Sequence, residues 1–217
     1  MPTWAIVPVK RLGEAKSSLG HVLRDEERRE LVLSMLADVL EVIKATPSLA
    51  GSVVVSPDEE VLQAAKASGA LVLLEPGVGL NKAIELATHR AIAEGADAVL
   101  VLPADLPLVR VSDLENIAAM ARFQRDIVLA PSKDNGTNAL LLKPPDVMSP
   151  RFGEESFIDH LSEARARGIV PRIYRSPFIA MDVDDVQDLM GLKVDELGAH
   201  TRAVIQKIKR GAKLTKK

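Results

Sequence analysis

An uninterrupted apolar run from Ala98 to Leu102, followed by Pro103 and Asp105, most constrains the fold of this chain. A short continuous apolar run is typical of a central strand that is buried on both faces of a parallel α/β sheet. Ligands of such sheets bind outside the carboxyl ends of the strands, which is where Asp105 stands. The position indicates a metal ligand for a phosphate-bearing substrate. The alternative is a loop aspartate that caps the next turn.

The first half of the chain alternates between strand-like and helix-like segments. Strands are predicted at residues 3–9, 52–56, 70–74 and 98–102. Helices are predicted at 25–45, from a Ser56 cap to Gly69, from the 75–81 turn to about 94, and from a Ser112–Glu115 capping box to about 122. This βαβ alternation, with no linker to divide it, predicts one α/β domain over residues 1–217, with a mainly parallel twisted sheet and helices on both faces.

The second half predicts shorter elements. Strands are expected at 126–130 and 138–142 around an Asn135-Gly136 turn, then a helix with Ser156 as its N-cap to about 167. Further strands are expected at 169–174 and 178–181, followed by a helix from 195 that ends in a solvated basic tail at about 207–217. Strand alternation after residue 181 would place Asp182 and Asp184 on one side.

Two loops have the composition of ligand-binding segments. The loop after the first strand contains Lys10, Arg11 and Lys16, and loops in that place hold phosphates with backbone amides and fixed cations. A solvated basic turn is the alternative. The turn at 75–81 contains Gly79, which allows a ligand close to the backbone, and Asn81, which offers an amide to a base or ribose or else caps the next helix.

Two acidic strand ends and a basic loop are together the parts of a nucleotidyl-transfer site. Asp105, Asp182 and Asp184 would hold Mg²⁺, which neutralises phosphates as charge builds on the leaving pyrophosphate. Arg11 and Lys16 would stabilise the same developing charge. An acceptor that is itself a phosphate is already ionised and needs no general base.

The composition excludes several classes of function. The net charge of −2 gives no general attraction to nucleic acid or to an anionic membrane, and 3% aromatic residues argues against stacking platforms for single strands. No apolar stretch approaches the ~20 residues of a membrane span. The chain has no cysteine, which excludes disulfides and thiolate chemistry and fits a reducing cytoplasm.

Several motifs, in order along most of the chain, resemble the 2-phospho-L-lactate guanylyltransferase family, which includes phosphoenolpyruvate guanylyltransferases. They are Val7-Pro8-Val9-Lys10-Arg11-Leu12 with Ala15-Lys16-Ser17, Gly79-Leu80-Asn81, Ala104-Asp105-Leu106-Pro107, Gly136-Thr137-Asn138-Ala139-Leu140 and Phe152-Gly153-Glu154-Glu155-Ser156-Phe157. The resemblance implies a fold similar to nucleotide-diphospho-sugar transferases. It also implies transfer of GMP from GTP to 2-phospho-L-lactate or phosphoenolpyruvate in coenzyme F420 biosynthesis, by a cytoplasmic homodimer that uses Mg²⁺.

The resemblance also implies roles for individual residues. The nucleotide would be bound by Pro8, Lys10, Arg11, Lys16, Gly79, Asn81 and Asp105, with Arg11, Lys16 and Asp105 in catalysis. The phosphorylated three-carbon acceptor would be held by Thr137, Gly153 and Ser156, and Mg²⁺ by Asp105, Asp182 and Asp184. Two other functions stay open at this point: nucleotidyl transfer to a sugar phosphate, and nucleotide binding without catalysis.

Overall fold

The computed structural model describes residues 2–77 and 79–214, with side chains described to residue 210. Its strands are β1 (Thr3–Pro8), β2 (Leu49–Ser56), β3 (Leu71–Leu74), β4 (Ala98–Val101), β5 (Asp126–Pro131), β6 (Thr137–Lys143) and β7 (Arg172–Ile173). Its helices are α1 (Asp25–Lys44), α2 (Glu59–Ala67), α3 (Leu80–Ala93), α4 (Val111–Met120), α5 (Ser156–Ala166), α6 (Val186–Gly191) and α7 (Ala199–Leu214). Two short 3₁₀ turns cover Ser17–Leu19 and Val194–Glu196.

The seven strands form one sheet in the order β3-β2-β1-β4-β6-β5-β7. Strands β1 to β4 are parallel to one another, β6 runs antiparallel to both β4 and β5, and β7 is parallel to β5. All residues of β4 are buried, as expected for a strand near the middle of the sheet. The mainly parallel sheet predicted from the sequence is therefore confirmed.

Helices cover both faces of the sheet. Along β1, Ala5 and Val7 belong to one apolar cluster and Ile6 to the other, as the two-residue period of a strand requires. The first cluster includes apolar residues of α1, α2, α4 and α7, and the second includes those of α3 and α5. No helix in residues 2–77 and 79–214 is long and apolar enough to cross a membrane.

Three predicted helix caps are wrong by one or two residues. The N-cap of α2 is Asp58, not Ser56, and its carboxylate accepts from the Glu60 N–H at 3.1 Å. The N-cap of α4 is Arg110, not Ser112, because Asp113 accepts from the Arg110 N–H at 3.0 Å. Glu115, the predicted partner of Ser112, instead accepts from the Ser48 N–H.

The predicted cap of α5 is also displaced, since Glu155 is the N-cap and Ser156 is the first helical residue. The strand predicted at 169–174 is reduced to the two residues of β7. The predicted basic tail is helical as far as residue 214, and Lys207 in it pairs with Glu30 of α1 at 2.8 Å. Residues 215–217 lie outside the described part.

The strand predicted at 178–181 does not form. The backbone there is bonded to loops and side chains instead of to a neighbouring strand: the Ile179 carbonyl accepts from the Asn138 amide at 2.9 Å, and the Ala180 carbonyl accepts from the Lys133 N–H at 3.1 Å. The apolar run is nonetheless anchored, because Ile179 and Val183 are fully buried. The segment therefore crosses the carboxyl edge of the sheet without joining it.

Candidate active site

A cavity of about 930 Å³ opens at the carboxyl edge of the sheet, between β1 and β4 and the start of β6. Its walls are the 8–18 loop after β1, the turn before α3, the loop after β4 and the 182–184 segment. Ligands of open α/β sheets bind at this edge because the loops that follow parallel strands converge there. The predicted residues that line it are Pro8, Lys10, Arg11, Lys16, Gly79, Asp105, Thr137, Asp182 and Asp184.

The ammonium group of Lys16 connects the two predicted acidic segments. Its Nζ donates to the carboxylate of Asp105 and, at 3.0 Å, to that of Asp184. Only 9% of the Lys16 side chain is exposed, and its backbone has a positive φ of 53°, which turns the loop over the cavity. Burial lowers the pKa of Lys16, but the two carboxylates outweigh burial and raise the pKa above its usual value.

Asp182 is the unusual carboxyl group of the site. Burial, together with the negative charges of Asp184 and Asp105, raises its pKa to about 6. Its Oδ1 is buried and has no hydrogen-bond partner. Such an orphaned oxygen among like charges carries a cost that a bound cation would remove.

The donor set fits a hard divalent cation, because carboxylate oxygens are its preferred ligands. The oxygens of Asp105, Asp182 and Asp184 do not all lie within 4.8 Å of one another in the described part of the chain. One ion bound by all three would therefore require these side chains to move closer together.

Backbone contacts fix the 182–184 segment beside Asp105. The Val183 N–H donates to the Asp105 carbonyl at 3.3 Å. On the other side, the Asp188 carboxylate accepts from the Asp184 N–H at 2.8 Å and from the Asp185 N–H at 3.0 Å. Asp188 in turn pairs with Lys133 of the β5–β6 hairpin. The segment thus reaches the site without strand pairing, although the sequence pattern predicted a strand.

A second group of acidic and histidine side chains has a structural explanation. Asp38, Glu41 and His200 lie close enough to share an ion. However, Asp38 accepts the N–H groups of His200 at 3.0 Å and Thr201 at 2.8 Å, which satisfies backbone donors at the start of α7.

The predicted acceptor residues lie at the β6 end of the cavity. Thr137 begins β6, is 5% exposed and lines the cavity. Ser156 is buried directly behind it, with its Oγ 3.3 Å from Thr137 Oγ1. Gly153 lies in the exposed loop before α5. Ser156 and Gly153 therefore adjoin the cavity wall but are not part of it.

Asn81 takes neither of the positions expected from the sequence. The N-cap of α3 is Gly79, with φ 91°, so Asn81 is inside the first turn. Its side chain binds the backbone of Phe152 in both directions: Oδ1 accepts from the Phe152 N–H at 2.8 Å and Nδ2 donates to the Phe152 carbonyl at 3.0 Å. Asn81 thus ties the Phe152–Gly153 loop to α3 instead of presenting its amide to the cavity.

Sequence reasoning missed several residues of this site. Glu75 and Phe152 line the cavity, and His160 supports Thr137 from behind. His160 stands four residues after Ser156, so helical spacing places both on the same face of α5, and this was the available signal. Lys133 and Asp188 gave no signal, because their pairing depends on a contact between residues 55 apart.

Comparison with known proteins identifies the family. Residues 3–216 match a family described as guanylyl transferase CofC like. The chain is 44% identical over 201 residues to phosphoenolpyruvate guanylyltransferase of Sphaerobacter thermophilus, covering 92% of this chain and 94% of that one. It is 37% identical to 2-phospho-L-lactate guanylyltransferase of Methanothermobacter thermautotrophicus, covering 96% and 92%.

Solved structures show the same fold at lower identity. A protein of Desulfovibrio desulfuricans G20 described as a candidate nucleotide-diphospho-sugar transferase superposes with a TM-score of 0.73 at 18% identity, covering 97% of this chain and 98% of that one. A cytidylyltransferase of Leptospira borgpetersenii gives a TM-score of 0.64 at 14% identity, covering 98% and 96%. The fold is therefore that of nucleotide-diphospho-sugar transferases, and by its sequence the chain belongs to the CofC-like guanylyl transferase family.

Proposed function

We propose that this chain transfers GMP from GTP to a phosphorylated three-carbon acid, 2-phospho-L-lactate or phosphoenolpyruvate, in coenzyme F420 biosynthesis. The observation that carries the proposal is the charged cluster in the main cavity, where Lys16 binds Asp105 and Asp184, and where Asp182 feels the negative charge of both carboxylates. Family membership supplies guanylyl transfer as the reaction class. The relatives' names supply the two acceptors.

The reaction needs an attacking oxygen and a stabilised leaving group. An oxygen of the acceptor's phosphate attacks the α-phosphorus of GTP, the bond between that phosphorus and the bridging oxygen breaks, and pyrophosphate leaves with the electron pair. The attacking phosphate is ionised near neutral pH, so no side chain has to remove a proton. Histidine is accordingly not required as a base.

The residues divide into two groups along the cavity. Pro8, Lys10, Arg11, Lys16 and Gly79 border the nucleotide, with Arg11 and Lys16 directed to the triphosphate. Thr137 binds the acceptor, and Ser156 and Gly153 support that end of the cavity. Because Asn81 holds the Phe152 backbone, we assign it an indirect role between the two ends.

Mg²⁺ is part of the proposal, held by Asp105, Asp182 and Asp184. When bound it would neutralise phosphate charge as the bond to pyrophosphate breaks. The unpartnered Oδ1 of Asp182 and the raised pKa of its carboxyl group support a cation at this place. A homodimer in the cytoplasm completes the proposal, and sedimentation of the full chain tests its oligomeric state.

Pyrophosphate release from GTP and Mg²⁺, with each three-carbon acid in parallel, tests the proposed function. Release with either acid supports it, and the ratio of the two rates identifies the preferred acceptor. Release with a sugar phosphate alone, or GTP binding without turnover, would refute it. Asp105→Asn is the matched control: it should lose turnover and keep its thermal unfolding temperature within a few degrees, because the side chain lies at the cavity surface.

A further inference from the structure

A buried imidazole lies directly behind Thr137. Nδ1 of His160 is 3.0 Å from Thr137 Oγ1, and Nε2 of His160 accepts the backbone N–H of Arg151 at 2.9 Å. His160 is fully buried and does not border the cavity, whereas Thr137 does. The imidazole therefore joins the hairpin, α5 and the Arg151–Phe152 loop without reaching a ligand itself.

The Arg151 contact fixes where the proton of His160 lies. A backbone N–H can only donate, so the nitrogen that faces it must present a lone pair. Nε2 would carry a proton in the other neutral tautomer and in the imidazolium. In either form, its N–H and the N–H of Arg151 would point at each other across 2.9 Å. His160 is therefore neutral with its proton on Nδ1, and Nδ1–H donates to Thr137. Burial lowers the pKa of His160 to about 4, which agrees with the neutral form; a hydrogen bond to the Ser156 backbone opposes this shift, and the charge of Arg151 adds to it.

The hydroxyl proton of Thr137 then cannot point toward His160. Its oxygen accepts from Nδ1–H of His160 and from the hydroxyl of Ser156 at 3.3 Å. A hydroxyl oxygen has two lone pairs and one proton, so two accepted hydrogen bonds leave the proton for a third partner. Thr137 lines the cavity, so a ligand bound there is within reach of that proton.

We propose that His160 is a positioning residue that holds the Thr137 hydroxyl as a hydrogen-bond donor toward the anionic oxygens of the acceptor. Ionised phosphate and carboxylate oxygens can only accept hydrogen bonds. A hydroxyl that presented a lone pair to them, instead of its proton, would therefore repel them. A hydroxyl fixed in advance as a donor also spares the cost of reorienting it when the acceptor binds. The inference rests on the proposed function, because it assigns an anionic acceptor to this end of the cavity.

Nitrogen NMR of the imidazoles in the full chain tests the hydrogen bonding without turnover. With His160 assigned through a His160→Gln variant, we expect the Nδ1–H neutral tautomer between pH 6 and 8. A proton on Nε2, or a charged ring in that range, would overturn the inference. Because no substrate is needed, this result is independent of the reaction.

Two substitutions at residue 160 separate the two hydrogen bonds of the ring. The amide of His160→Asn can place a donor near the position of Nδ1, whereas the amide of His160→Gln can place an acceptor near that of Nε2. We expect His160→Gln to raise the acceptor KM about tenfold, the usual effect of losing a hydrogen bond to a charged group. His160→Asn should keep the acceptor KM within about threefold, and both variants should keep the KM for GTP.

Thr137→Val gives the matched comparison, because it removes the hydroxyl and leaves His160 in place. It should raise the acceptor KM about as much as His160→Gln, and the double variant should show no further increase, since both changes remove one interaction. Additive effects, or equal losses in His160→Asn and His160→Gln, would overturn the inference while the proposed function stands. A parent protein that releases no pyrophosphate with either acid would refute the proposed function, and this inference with it.

Discussion

Asp182→Asn should stabilise the protein while it abolishes turnover. The pKa of Asp182 is raised from 3.8 to about 6 in the folded chain by burial and by the charges of Asp184 and Asp105. A carboxyl group with a raised folded pKa favours folding fully below its unfolded pKa, and that contribution is lost as the pH rises to the folded pKa. Above about pH 6 the ionised group therefore costs stability, which the neutral amide would avoid.

The magnitude follows from the shift. About two pKa units correspond to roughly 3 kcal/mol at most. Rotation of the Asp182 side chain and screening by the solvent around Asp184 reduce this value. We therefore expect Asp182→Asn to raise the free energy of unfolding by about 1–2 kcal/mol at pH 7.5, or Tm by roughly 3–6 °C for a chain of this size. At pH 4 and below, both proteins have a neutral group at residue 182, and the difference should largely vanish.

Urea and thermal unfolding without divalent cations, at pH 7.5 and at pH 4, measure this effect. Asp188→Asn is the matched control, because the pKa of Asp188 is shifted in the opposite direction. Burial raises the pKa of Asp188, but Lys133 and two backbone N–H groups outweigh it and lower the pKa, so this substitution should destabilise the protein at pH 7.5. A loss of stability in Asp182→Asn at pH 7.5, or a gain of equal size at both pH values, would refute the electrostatic reasoning.

Three further substitutions test separate contacts. Lys16→Met should lower kcat for pyrophosphate release about 100-fold, because it removes a cation from the end of the cavity where we propose that the phosphates bind; an unchanged kcat would contradict the proposed role. Asn81→Ala should raise the KM of both substrates by severalfold, since it frees the backbone of Phe152 between the two ends, and an effect on one substrate alone would argue against this link. Gly198→Ala should lower stability by about 2 kcal/mol or more in urea unfolding, because its Cβ would overlap the Asp38 carboxyl group; unchanged stability would show that Asp38 can move away.

The sequence predicts the sheet well where the pattern is local. The apolar run of β4 and the βαβ spacing of the first half gave the strands, their direction and the position of Asp105. Helix caps were less predictable, because several polar residues near each start can accept the same backbone N–H. Asp58 rather than Ser56 caps α2, and the choice depends on the final backbone angles.

The residues around Asp182 show the limit of pattern reading. The run 178–181 is continuously apolar and predicts a short strand, and Asp182 is expected at the acidic end of that strand. Its proximity to Asp105 is correct although the strand is absent, because Ile179 and Val183 are buried and the Val183 N–H binds the Asp105 carbonyl. Burial of Ile179 and Val183 thus positions the carboxylates, while Lys133 and Asn138 of the hairpin make hydrogen bonds to the backbone of this segment.

Lys16 and Lys133 both bind the acidic segment 182–188, but their contacts differ. Lys133 pairs with Asp188, whose carboxylate also holds the N–H groups of Asp184 and Asp185, so this pair fixes the backbone. Within the described part of the chain, the side chain of Lys16 binds the carboxylates of Asp105 and Asp184 and makes no hydrogen bond to the backbone. A ligand can therefore replace the contacts of Lys16 without unfolding the segment, whereas loss of Lys133 would move the carboxylates themselves. Lys133→Met should accordingly lower Tm and weaken Mg²⁺ binding together, and Lys16→Met should lower kcat with a smaller change in Tm.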